Sequence, residues 1–590
     1  MNTESEHRQK ALNNFQLKVG GEAGFGIMSI GQLFAKLCSR SGRWIFDYPE
    51  YPSLIHGGHN IDQVTVGEHP VHAPIRDVHL LIAMNQETID LHRDELAPGA
   101  GILFDPEQPG IRVDDLKERG IRLFPVPLET LSHKAGTETT KNIVAFAAAA
   151  GLLNADRKLV EGVVNDEFKD KGEIAMRHNA AALDLGYTHA EEHFSKDFPW
   201  VLPSGEGPKR MNITGNTAVA MVAIQAGCKF YVAYPMTPAT SVLSYLAKVG
   251  EKYGMVVRHA EDEIGVINAA IGAGYAGVRA MVGTSGGGFA LMTEGVGLSA
   301  MLEVPIVILE GQRPGPSTGL PTWTAQADLQ FVLRSSQGEF PRIIFAPGDV
   351  NESFYLTVQA FHLAEKYQVP VFVLTDKFLA ESTETVAPFQ TAGLRINRGA
   401  IEQKPKPDAN GMFSRYRLTD SGVSPRTLPG TPGGVHVANS DEHDEYGFVD
   451  ETAENRIAMM DKRMRKAHAI ADEMGEPVLY GPKKADLTLV TWGSTKGPAI
   501  DALPLLAARD RSVNLLHFSA IFPLPLEKVE SRLRQCKKVM MVEGNATGQF
   551  AQLLKEQVGL IPDATFFQYD GRPFFPSDIA RSAEQYFASL

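Results

Sequence analysis

Three polar side chains stand where apolar segments of the sequence end: Thr237, Glu263 and Arg313. The segments near them are short and rich in β-branched residues, which predicts buried strands leading into turns. These segments are residues 256–258, 280–282 and 304–309. Ligands of open α/β sheets bind outside the carboxyl edge of the strands. We therefore expect the three side chains to converge on one crevice, where a guanidinium fits a carboxylate and an acid can transfer a proton.

Each of the three side chains also has a purely structural interpretation. Glu263 opens a helical segment, residues 264–276, and acids in the first turn of a helix commonly just complement its dipole. Thr237 lies between two prolines and could simply end a strand, while Arg313 could pair with a surface acid. The functional interpretation therefore depends on the motifs around these residues and on their order.

Four motifs surround these residues. They are Tyr-Pro-Met-Thr-Pro at 234–238, Ala-Glu-Asp-Glu-Ile-Gly at 260–265, Thr-Ser-Gly-Gly-Gly at 284–288 and Gln-Arg-Pro-Gly-Pro-Ser-Thr-Gly-Leu-Pro-Thr at 312–322. In this order they closely resemble the pyrimidine-binding domain of the 2-oxoacid:ferredoxin oxidoreductases. Those enzymes oxidatively decarboxylate 2-oxoacids with thiamine diphosphate and coenzyme A. The Tyr-Pro-x-Thr-Pro element is rather specific, whereas an isolated Ser-Gly-Gly-Gly is not.

The resemblance implies a role for each polar side chain. Glu263 matches the acid that hydrogen-bonds the aminopyrimidine of thiamine diphosphate and favours the imino tautomer, which can remove the thiazolium C2 proton. Arg313 matches the residue that binds the substrate carboxylate, and Thr237 matches the residue that orients the keto group or the departing carboxylate. Thr322 is a further substrate-binding candidate. The resemblance also implies cofactor contacts for Tyr234, Pro235, Ser285 and Gly286.

The resemblance covers the chain in the order gamma, pyrimidine-binding and C-terminal, and it predicts a multidomain α/β fold. The alternation of strands and helices up to about residue 376 is consistent with a doubly wound sheet. The expected parts are a gamma-type α/β domain at 1–195, a linker at 196–209, the pyrimidine-binding domain at 210–395, a turn-rich connector with a spacer helix at 396–483, and a transketolase C-terminal-like α/β domain at 484–590.

A glycine-rich turn follows the first predicted strand, residues 15–19, and precedes a predicted helix. Gly21, Gly24 and Gly26 allow close backbone approach there, and the start of a helix presents free N–H groups that suit a phosphate. The dinucleotide fingerprint is imperfect, because Asp47, the possible acidic match, is followed by a loop-like segment. The turn is a candidate coenzyme A or phosphate loop.

Three polar stretches have open interpretations. His56 and His59 could form a metal pair, but no third ligand follows at helical spacing, which favours a structural loop. The acidic stretch 441–445 could bind a divalent ion, although a solvated turn is favoured. The predicted helix 453–474 carries basic residues that either meet an acidic partner or face water. These are Lys462, Arg463, Arg465 and Lys466.

The composition is that of a soluble globular protein. The chain has 590 residues, 43% of them hydrophobic and 22% charged, and a net charge of -13. This charge argues against general binding to nucleic acid or to an anionic membrane. No apolar run is long enough to span a bilayer and the first residues lack a signal-peptide core, so we expect a cytoplasmic location.

The sequence lacks two features that such an enzyme needs. Thiamine diphosphate enzymes hold the Mg²⁺-diphosphate with a Gly-Asp-Gly and a later Asn, and the chain contains no Gly-Asp-Gly. Cys38, Cys228 and Cys536 are too far apart to ligate a [4Fe-4S] cluster and are interpreted as buried small hydrophobes. The resemblance therefore implies a beta subunit carrying Mg²⁺ and the cluster, ferredoxin as a partner, and a dimer of alpha-beta heterodimers.

The predicted function is that of a gamma-fused alpha subunit of a 2-oxoacid:ferredoxin oxidoreductase acting on 2-oxoglutarate. The products are succinyl-CoA, CO₂ and reduced ferredoxin, or the reaction runs in reverse. The fused gamma-alpha arrangement resembles the 2-oxoglutarate branch of the family. Alternatives are the same family acting on pyruvate or branched 2-oxoacids, a subunit of a lipoamide-linked 2-oxoacid dehydrogenase, and a nonenzymatic nucleotide-binding regulator.

Overall fold

Apolar runs of the sequence form the strands of three open sheets, which belong to two separate units. The computed structural model describes residues 10–54, 57–194, 196–205 and 207–590. The first unit contains the described residues up to Ile213 together with Ser382–Pro388 and Phe575–Ser577. The second unit contains Thr214–Glu381, Phe389–Phe574 and Asp578–Leu590. Over these described ranges, no helix combines the length and apolar character needed to cross a bilayer.

The first unit is built on an eight-stranded mixed sheet. In spatial order its strands are Arg122–Pro125, Leu96–Phe104, Val78–Ala83, Phe15–Glu22, His59–Gly67, Trp44–Glu50, Thr383–Val386 and Met211–Thr214. The first four pair in parallel, and the next three pairings, as far as the strand Thr383–Val386, are antiparallel. The α-helices of this unit are Ile27–Arg40, Gln86–His92, Asp114–Glu118, Leu128–Ala135, Lys141–Leu152, Arg157–Phe168 and Glu173–Phe194. Two short strands, Lys10–Ala11 and Trp200–Val201, also pair in parallel.

Two helices of the first unit pack closely because glycines face the contact. A Cβ atom at Gly186 would lie 2.5 Å from the carbonyl oxygen of Val144, and one at Gly151 would lie 2.7 Å from that of Tyr187. Small residues at such positions let helix backbones approach. The alanine-rich helix Lys141–Leu152 is therefore almost wholly buried in the core of the unit.

The second unit contains a seven-stranded sheet that presents the predicted site. In spatial order its strands are Val256–His259, Phe230–Ala233, Ala280–Thr284, Ile306–Gln312, Pro370–Asp376, Ile343–Phe345 and Ala520–Phe522. Only the pairing of the last strand is antiparallel among these. The α-helices up to the connector are Gly215–Gln225, Thr240–Val249, Glu263–Tyr275, Gly286–Met301, Leu329–Leu333, Val350–Tyr367 and Lys377–Glu381. The strands predicted at 256–258, 280–282 and 304–309 are confirmed.

A five-stranded sheet forms the C-terminal part of the second unit. In spatial order its strands are Val478–Tyr480, Val513–Phe518, Leu487–Trp492, Val539–Glu543 and Ala564–Phe567. The helices around it are Lys496–Ala507, Leu526–Leu533, Gln549–Val558 and Pro576–Ala588. The prediction of a multidomain α/β fold is therefore confirmed. The domain boundaries given above stay predictions.

The charged helix Ala453–Glu473 is held by buried ion pairs, so the prediction that its basic residues face water or a partner is wrong for three of the four. The ammonium of Lys462 lies 2.5 Å from a carboxylate oxygen of Glu303, and Lys466 pairs with the other oxygen. Arg463 donates two hydrogen bonds, of 3.0 and 2.6 Å, to Glu442 in the acidic stretch 441–445. Arg465 is exposed. Glu442 thus ties the connector to the helix.

Candidate functional site

Four neighbouring parallel strands end at one edge of the seven-stranded sheet, and the predicted site residues follow them. The segment 234–238 follows Phe230–Ala233, and Glu263 comes after Val256–His259. Ser285 follows Ala280–Thr284, and Arg313 follows Ile306–Gln312. Because parallel strands present their carboxyl ends at the same edge, all four polar positions belong to that edge of the sheet.

Glu263 is buried at the start of the helix Glu263–Tyr275. Its residue is only 3% exposed, and its Oε1 atom has no hydrogen-bond partner within the described ranges. The neighbouring Asp262 is the helix N-cap, because its side chain accepts a 2.7 Å hydrogen bond from the N–H of Gly265. Burial raises the pKa of Glu263 and the charge of Asp262 raises it further. The capping role thus belongs to Asp262, and the carboxyl of Glu263 stays available for a ligand.

Gly288 makes room for the carboxyl of Glu263. A Cβ atom at Gly288 would lie 2.3 Å from Oε1 of Glu263 and 2.3 Å from Oγ1 of Thr284. Real Cβ atoms do not approach oxygen that closely, so only glycine fits without a shift of its neighbours. The glycine run therefore brings the first turn of the helix Gly286–Met301 against the acid.

Arg313 and Thr237 contact each other directly. The Nη1 atom of Arg313 donates a 2.8 Å hydrogen bond to the backbone carbonyl of Thr237, and the peptide bond from Thr237 to Pro238 is cis. On the other side of the turn, Nδ2 of the buried Asn216 donates a 2.7 Å hydrogen bond to the carbonyl of Pro238. Arg313 therefore contacts the backbone carbonyl of Thr237 and not its hydroxyl. The guanidinium of Arg313 is half-buried. Burial lowers its pKa, and the charges of nearby acids raise it.

The loop after Arg313 is held by the C-terminal part of the same unit. The N–H of Thr324 donates a 3.1 Å hydrogen bond to the carbonyl of Gly571. The guanidinium carbon of Arg572 lies 3.5 Å from the centre of the Trp323 ring, a cation–π contact. Thr322 is buried in this loop, and its hydroxyl has no partner in the part of the chain that the structure describes.

The other predicted cofactor contacts differ in exposure. Tyr234 is 39% exposed and stands edge-on to His259, with 5.8 Å between ring centres. Pro235 is partly exposed beside it. Ser285 is fully buried, and its hydroxyl is unpartnered among the described residues, while Gly286 is partly exposed. An unpaired buried hydroxyl at a helix start is a suitable place for a polar ligand atom.

Two acids of the same edge, one buried and one partly buried, were missed by the sequence reasoning. Glu310 lies in the strand Ile306–Gln312, and Asp328 precedes the short helix Leu329–Leu333. Both are near enough to Arg313 for its charge to act on them. The sequence did contain a signal for Glu310, because it places this acid within an apolar strand. An acid at such a position is rarely buried without a specific role.

The predicted glycine turn lies in the first unit, at a cavity of about 340 Å³. Gly24 and Gly26 line this cavity with Lys141 and Asn142, and both glycines have positive φ angles, of 98° and 75°. Gly26 precedes the helix Ile27–Arg40, whose first N–H groups lack a side-chain cap. Gly21 lies within the strand Phe15–Glu22 instead. The turn has the backbone geometry of an anion-binding loop.

The histidine pair proposed from the sequence is described only in part, because His56 lies outside the described residues. His59 begins the strand His59–Gly67, and its Nε2 atom lies 3.0 Å from Nε2 of His92. Burial, together with the charges of His92 and Lys18, lowers the pKa of His59 to about 4. His59 is thus a neutral imidazole in a side-chain hydrogen bond. Of the cysteines, Cys38 and Cys228 are buried and Cys536 is partly exposed.

Comparison with known families agrees with this geometry. A family model described as pyruvate flavodoxin/ferredoxin oxidoreductase, thiamine diphosphate-binding, matches residues 221–462. A second model, described as pyruvate ferredoxin/flavodoxin oxidoreductase, matches residues 16–189. The first match contains the sheet edge with Glu263, Thr237 and Arg313. Together, the matches and the site define a thiamine diphosphate-binding oxidoreductase.

Individual relatives narrow this class. The chain is 31% identical to the alpha subunit of 2-oxoacid:ferredoxin oxidoreductase 2 from Aeropyrum pernix, over 97% of each chain. It is 28% identical to the 2-oxoglutarate oxidoreductase subunit KorA of Mycobacterium tuberculosis, over 97% of this chain and 91% of that one. The chain therefore belongs to the 2-oxoacid:ferredoxin oxidoreductase family, and its relatives are alpha subunits.

A solved structure of the same family extends the similarity to the fold. The 2-oxoglutarate:ferredoxin oxidoreductase from Magnetococcus marinus, with 2-oxoglutarate, coenzyme A and succinyl-CoA bound, is similar with a TM-score of 0.89. The sequences are 32% identical, and the similarity covers 97% of this chain and 99% of that one.

Proposed function

We propose that this chain is the alpha subunit, fused to a gamma domain, of a 2-oxoglutarate:ferredoxin oxidoreductase, and that it supplies the aminopyrimidine and substrate-carboxylate parts of the active site. The observation that carries the proposal is the buried carboxyl of Glu263, whose Oε1 atom has no partner among the described residues and for which Gly288 leaves room at the sheet edge that also holds Arg313. The relatives favour this family over a lipoamide-linked dehydrogenase and over a nucleotide-binding regulator.

Glu263 fits the aminopyrimidine ring of thiamine diphosphate. The residue is buried, its raised pKa favours the carboxylic acid form, and that form can donate a proton at Oε1 to a ring nitrogen. The cofactor, when bound, supplies the carbon nucleophile for the keto group. Tyr234, Pro235, Ser285 and Gly286 are proposed to contact the cofactor. Glu263 holds the proton at the place where the ring needs it.

Arg313 is proposed to bind the carboxylate next to the keto group of the substrate. Its Nη1 atom is occupied by the carbonyl of Thr237, which orients the guanidinium and leaves its other N–H groups for a carboxylate. The hydroxyl of Thr322, which has no partner among the described residues, and the hydroxyl of Thr237 are proposed to donate to substrate oxygens. Arginine is suited to this role because its planar fork matches a carboxylate.

The glycine turn of the first unit is proposed to bind a phosphate group of coenzyme A. The support is the cavity next to Gly24 and Gly26, the uncapped helix start after Gly26, and the nearby ammonium of Lys141. Replacing Gly26 by Ala places a Cβ atom 2.8 Å from Nδ2 of Asn142 at a positive φ angle, which blocks the turn. We expect a higher KM for coenzyme A with an unchanged KM for the 2-oxoacid; equal changes in both would contradict this assignment.

A beta subunit is proposed to supply Mg²⁺, the diphosphate site and the [4Fe-4S] cluster, and ferredoxin to accept the electrons. The support is the absence of a Gly-Asp-Gly and of clustered cysteines from this sequence. The chain purified alone should be colourless and inactive, and activity should return when the partner chain is added. Stoichiometric iron and sulfide in the single chain would contradict the proposal.

The choice of 2-oxoglutarate is supported by the relative named for that substrate and by the similar structure that contains it. The test is a comparison of kcat/KM for 2-oxoglutarate, pyruvate and 2-oxoisovalerate with the assembled enzyme. We expect the highest value for 2-oxoglutarate. A preference for pyruvate would reject the substrate while leaving the family assignment intact.

A further inference from the structure

The buried Glu310 and the partly buried Asp328 form a pair of carboxyl groups near Arg313. Glu310 is fully buried, and neither of its carboxyl oxygens receives a hydrogen bond from any N–H or O–H donor in the described ranges. The Oδ2 atom of Asp328 is also buried without a donor there. The charge of Asp328 acts on Glu310, and the N–H of Asp328 is bonded to the side chain of Gln312, in the strand that carries Glu310. As two carboxylates they would be acceptors with no proton between them.

One shared proton satisfies this pair. Two neighbouring carboxyl groups, one fully buried and one with a buried oxygen, oppose each other's ionisation, and burial opposes it further. Burial and the charges of Asp328 and Asp376 hold the pKa of Glu310 well above its usual range, against the opposing charge of Arg313. Burial raises the pKa of Asp328 to about 6, while its hydrogen bond to Glu310 and the charge of Arg313 lower it. The pair therefore favours a state with one proton and one negative charge.

The surrounding backbone favours the charge on Asp328. A Cβ atom at Gly286 would lie 2.6 Å from Oδ2 of Asp328, so the first turn of the helix Gly286–Met301 lies directly against this carboxylate. The positive end of a helix dipole stabilises an anion there. The N–H of Asp328 donates a 3.0 Å hydrogen bond to Oε1 of Gln312, which fixes the backbone of Asp328 beside the strand that carries Glu310.

We propose that Glu310 and Asp328 share one proton and act together as a positioning pair, which holds Arg313 with a single negative charge in the place where it binds the substrate carboxylate. One charge balances the guanidinium, while the carbonyl of Thr237 orients it. A second charge would draw the guanidinium towards the pair and make the site repel an anionic 2-oxoacid. The positioning role rests on the proposed function of Arg313, whereas the shared proton does not.

An infrared difference spectrum tests the shared proton directly. The spectrum of wild-type holoenzyme minus that of Glu310→Gln is recorded at mildly alkaline pH, where isolated carboxyl groups are ionised. We expect a carbonyl band of a protonated carboxylic acid that shifts in D₂O. This measurement needs no substrate. Absence of the band would overturn the proposal.

Steady-state kinetics with two substitutions at Glu310 test the positioning role. Glutamine imitates the protonated acid, because it keeps the shape and can donate one N–H to Asp328, whereas alanine cannot donate. Glu310→Gln should keep the wild-type KM for the 2-oxoacid at neutral pH. Glu310→Ala should raise KM roughly 10- to 100-fold, the range expected when a buried charge loses one hydrogen bond. Equal KM values in the two variants would overturn the positioning role.

The pH dependence of KM for the 2-oxoacid is a second kinetic test. As pH rises, the wild-type pair loses its shared proton and the site gains a negative charge, so KM for the 2-oxoacid should increase. Glu310→Gln has no such proton, and its KM should stay level over the same range. A rise of the same size in both enzymes would overturn the proposal. The variant Arg313→Lys tests the substrate-binding role separately, because an unchanged KM there rejects that role without affecting the infrared band.

Discussion

At the level of single residues, the two adjacent acids Asp262 and Glu263 have different tasks. Asp262 is the N-cap of the helix, and Glu263 is buried with an unpartnered oxygen. A buried carboxyl without a donor destabilises a protein unless a ligand or a proton satisfies it. The fold therefore retains at Glu263 an acid that the helix itself does not need.

Replacing Glu263 by Gln should lower turnover by roughly 10²–10⁴-fold, because the amide keeps the shape but cannot transfer a proton. The measurement is C2 proton exchange of thiamine diphosphate bound to the holoenzyme, with a thermal melt to check folding. Glu261→Gln is the matched control, since this neighbouring acid is exposed. Exchange as fast as in the wild type would assign Glu263 a purely structural role.

Replacing Arg313 by Lys should lower kcat/KM for 2-oxoacids by roughly 10- to 100-fold, since an ammonium cannot form two parallel hydrogen bonds with a carboxylate. A change confined to KM indicates uniform binding, and a fall in kcat indicates positioning in the transition state. The control is Arg334→Lys, because Arg334 makes an exposed surface pair with Glu556. Equal kinetics in both variants would limit Arg313 to a structural role, its hydrogen bond to the carbonyl of Thr237.

At the level of secondary-structure elements, the site depends on a contact between two helices. The first turn of the helix Gly286–Met301 packs against Glu263, the first residue of the helix Glu263–Tyr275. The helix Gly286–Met301 begins against the carboxyl of Glu263 through Gly288 and against Asp328 through Gly286. Two acids with different tasks are thus packed by one glycine-rich turn. Two of the three glycines in this run, Gly286 and Gly288, are explained by these close contacts rather than by a need for flexibility.

Replacing Gly288 by Ala should displace the carboxyl of Glu263 and reduce turnover at least 10-fold, because a misplaced acid is a poor proton donor. Glu263 has a flexible side chain, so the folded state should remain intact. The matched control is Gly287→Ala, whose Cβ atom would lie 4.0 Å from its nearest neighbour, the carbonyl of Ser317. Turnover and melting temperature should be measured for both variants. Similar turnover in the two would contradict the close contact.

At the level of the whole molecule, stability within the second unit depends on charges buried far from the site. Glu303 pairs with Lys462 and Lys466, and all three side chains are almost fully buried. The two ammonium groups, together with Arg415, hold the pKa of Glu303 below its usual range. The ion-paired carboxylate of Glu303 adds to the free energy of unfolding at pH values above about 4.3, the pKa that Glu has in the unfolded chain. This stabilisation is lost as pH falls through the lower pKa that Glu303 has in the folded chain.

Replacing Glu303 by Gln should reduce the free energy of unfolding by about 3–5 kcal/mol at neutral pH, because two buried lysines lose their counter-charge. Burial already lowers the pKa of Lys462 to about 8, and the substitution lowers it further. The folded variant then binds fewer protons than the folded wild type. The difference in free energy of unfolding between wild type and variant should therefore become smaller as pH rises towards 8. Chemical denaturation at several pH values measures this.

The control for this prediction is Glu556→Gln. Glu556 pairs with Arg334 on the surface, where an ion pair contributes about 0–1 kcal/mol. Glu303→Gln could lose as little free energy of unfolding as the control, or its loss could grow with pH. Either result would contradict the interpretation that Glu303 is the counter-charge of two buried lysines.

Much of the fold was predictable from local pattern. Short β-branched runs predicted several strands of the seven-stranded sheet, and their order with the helices indicated the doubly wound arrangement, but the strands Ile343–Phe345 and Ala520–Phe522 were not predicted. The prediction failed for the helix Ala453–Glu473, where Lys462, Arg463 and Lys466 are buried. Charged side chains on a helix usually face water, and only their distant partners Glu303 and Glu442 make burial possible.

The sequence by itself determined the strand and helix pattern, the order of motifs that indicates the family, and the lack of a diphosphate-binding motif, because these depend on residues close together in the chain. Only the tertiary structure decided that Asp262 caps the helix while the Oε1 atom of Glu263 has no partner in the described ranges, and that Glu310, Asp328 and Arg313 are near enough for their charges to interact. Pairing, burial and pKa depend on which side chains the fold brings together across long stretches of sequence, and periodicity carries no record of those contacts.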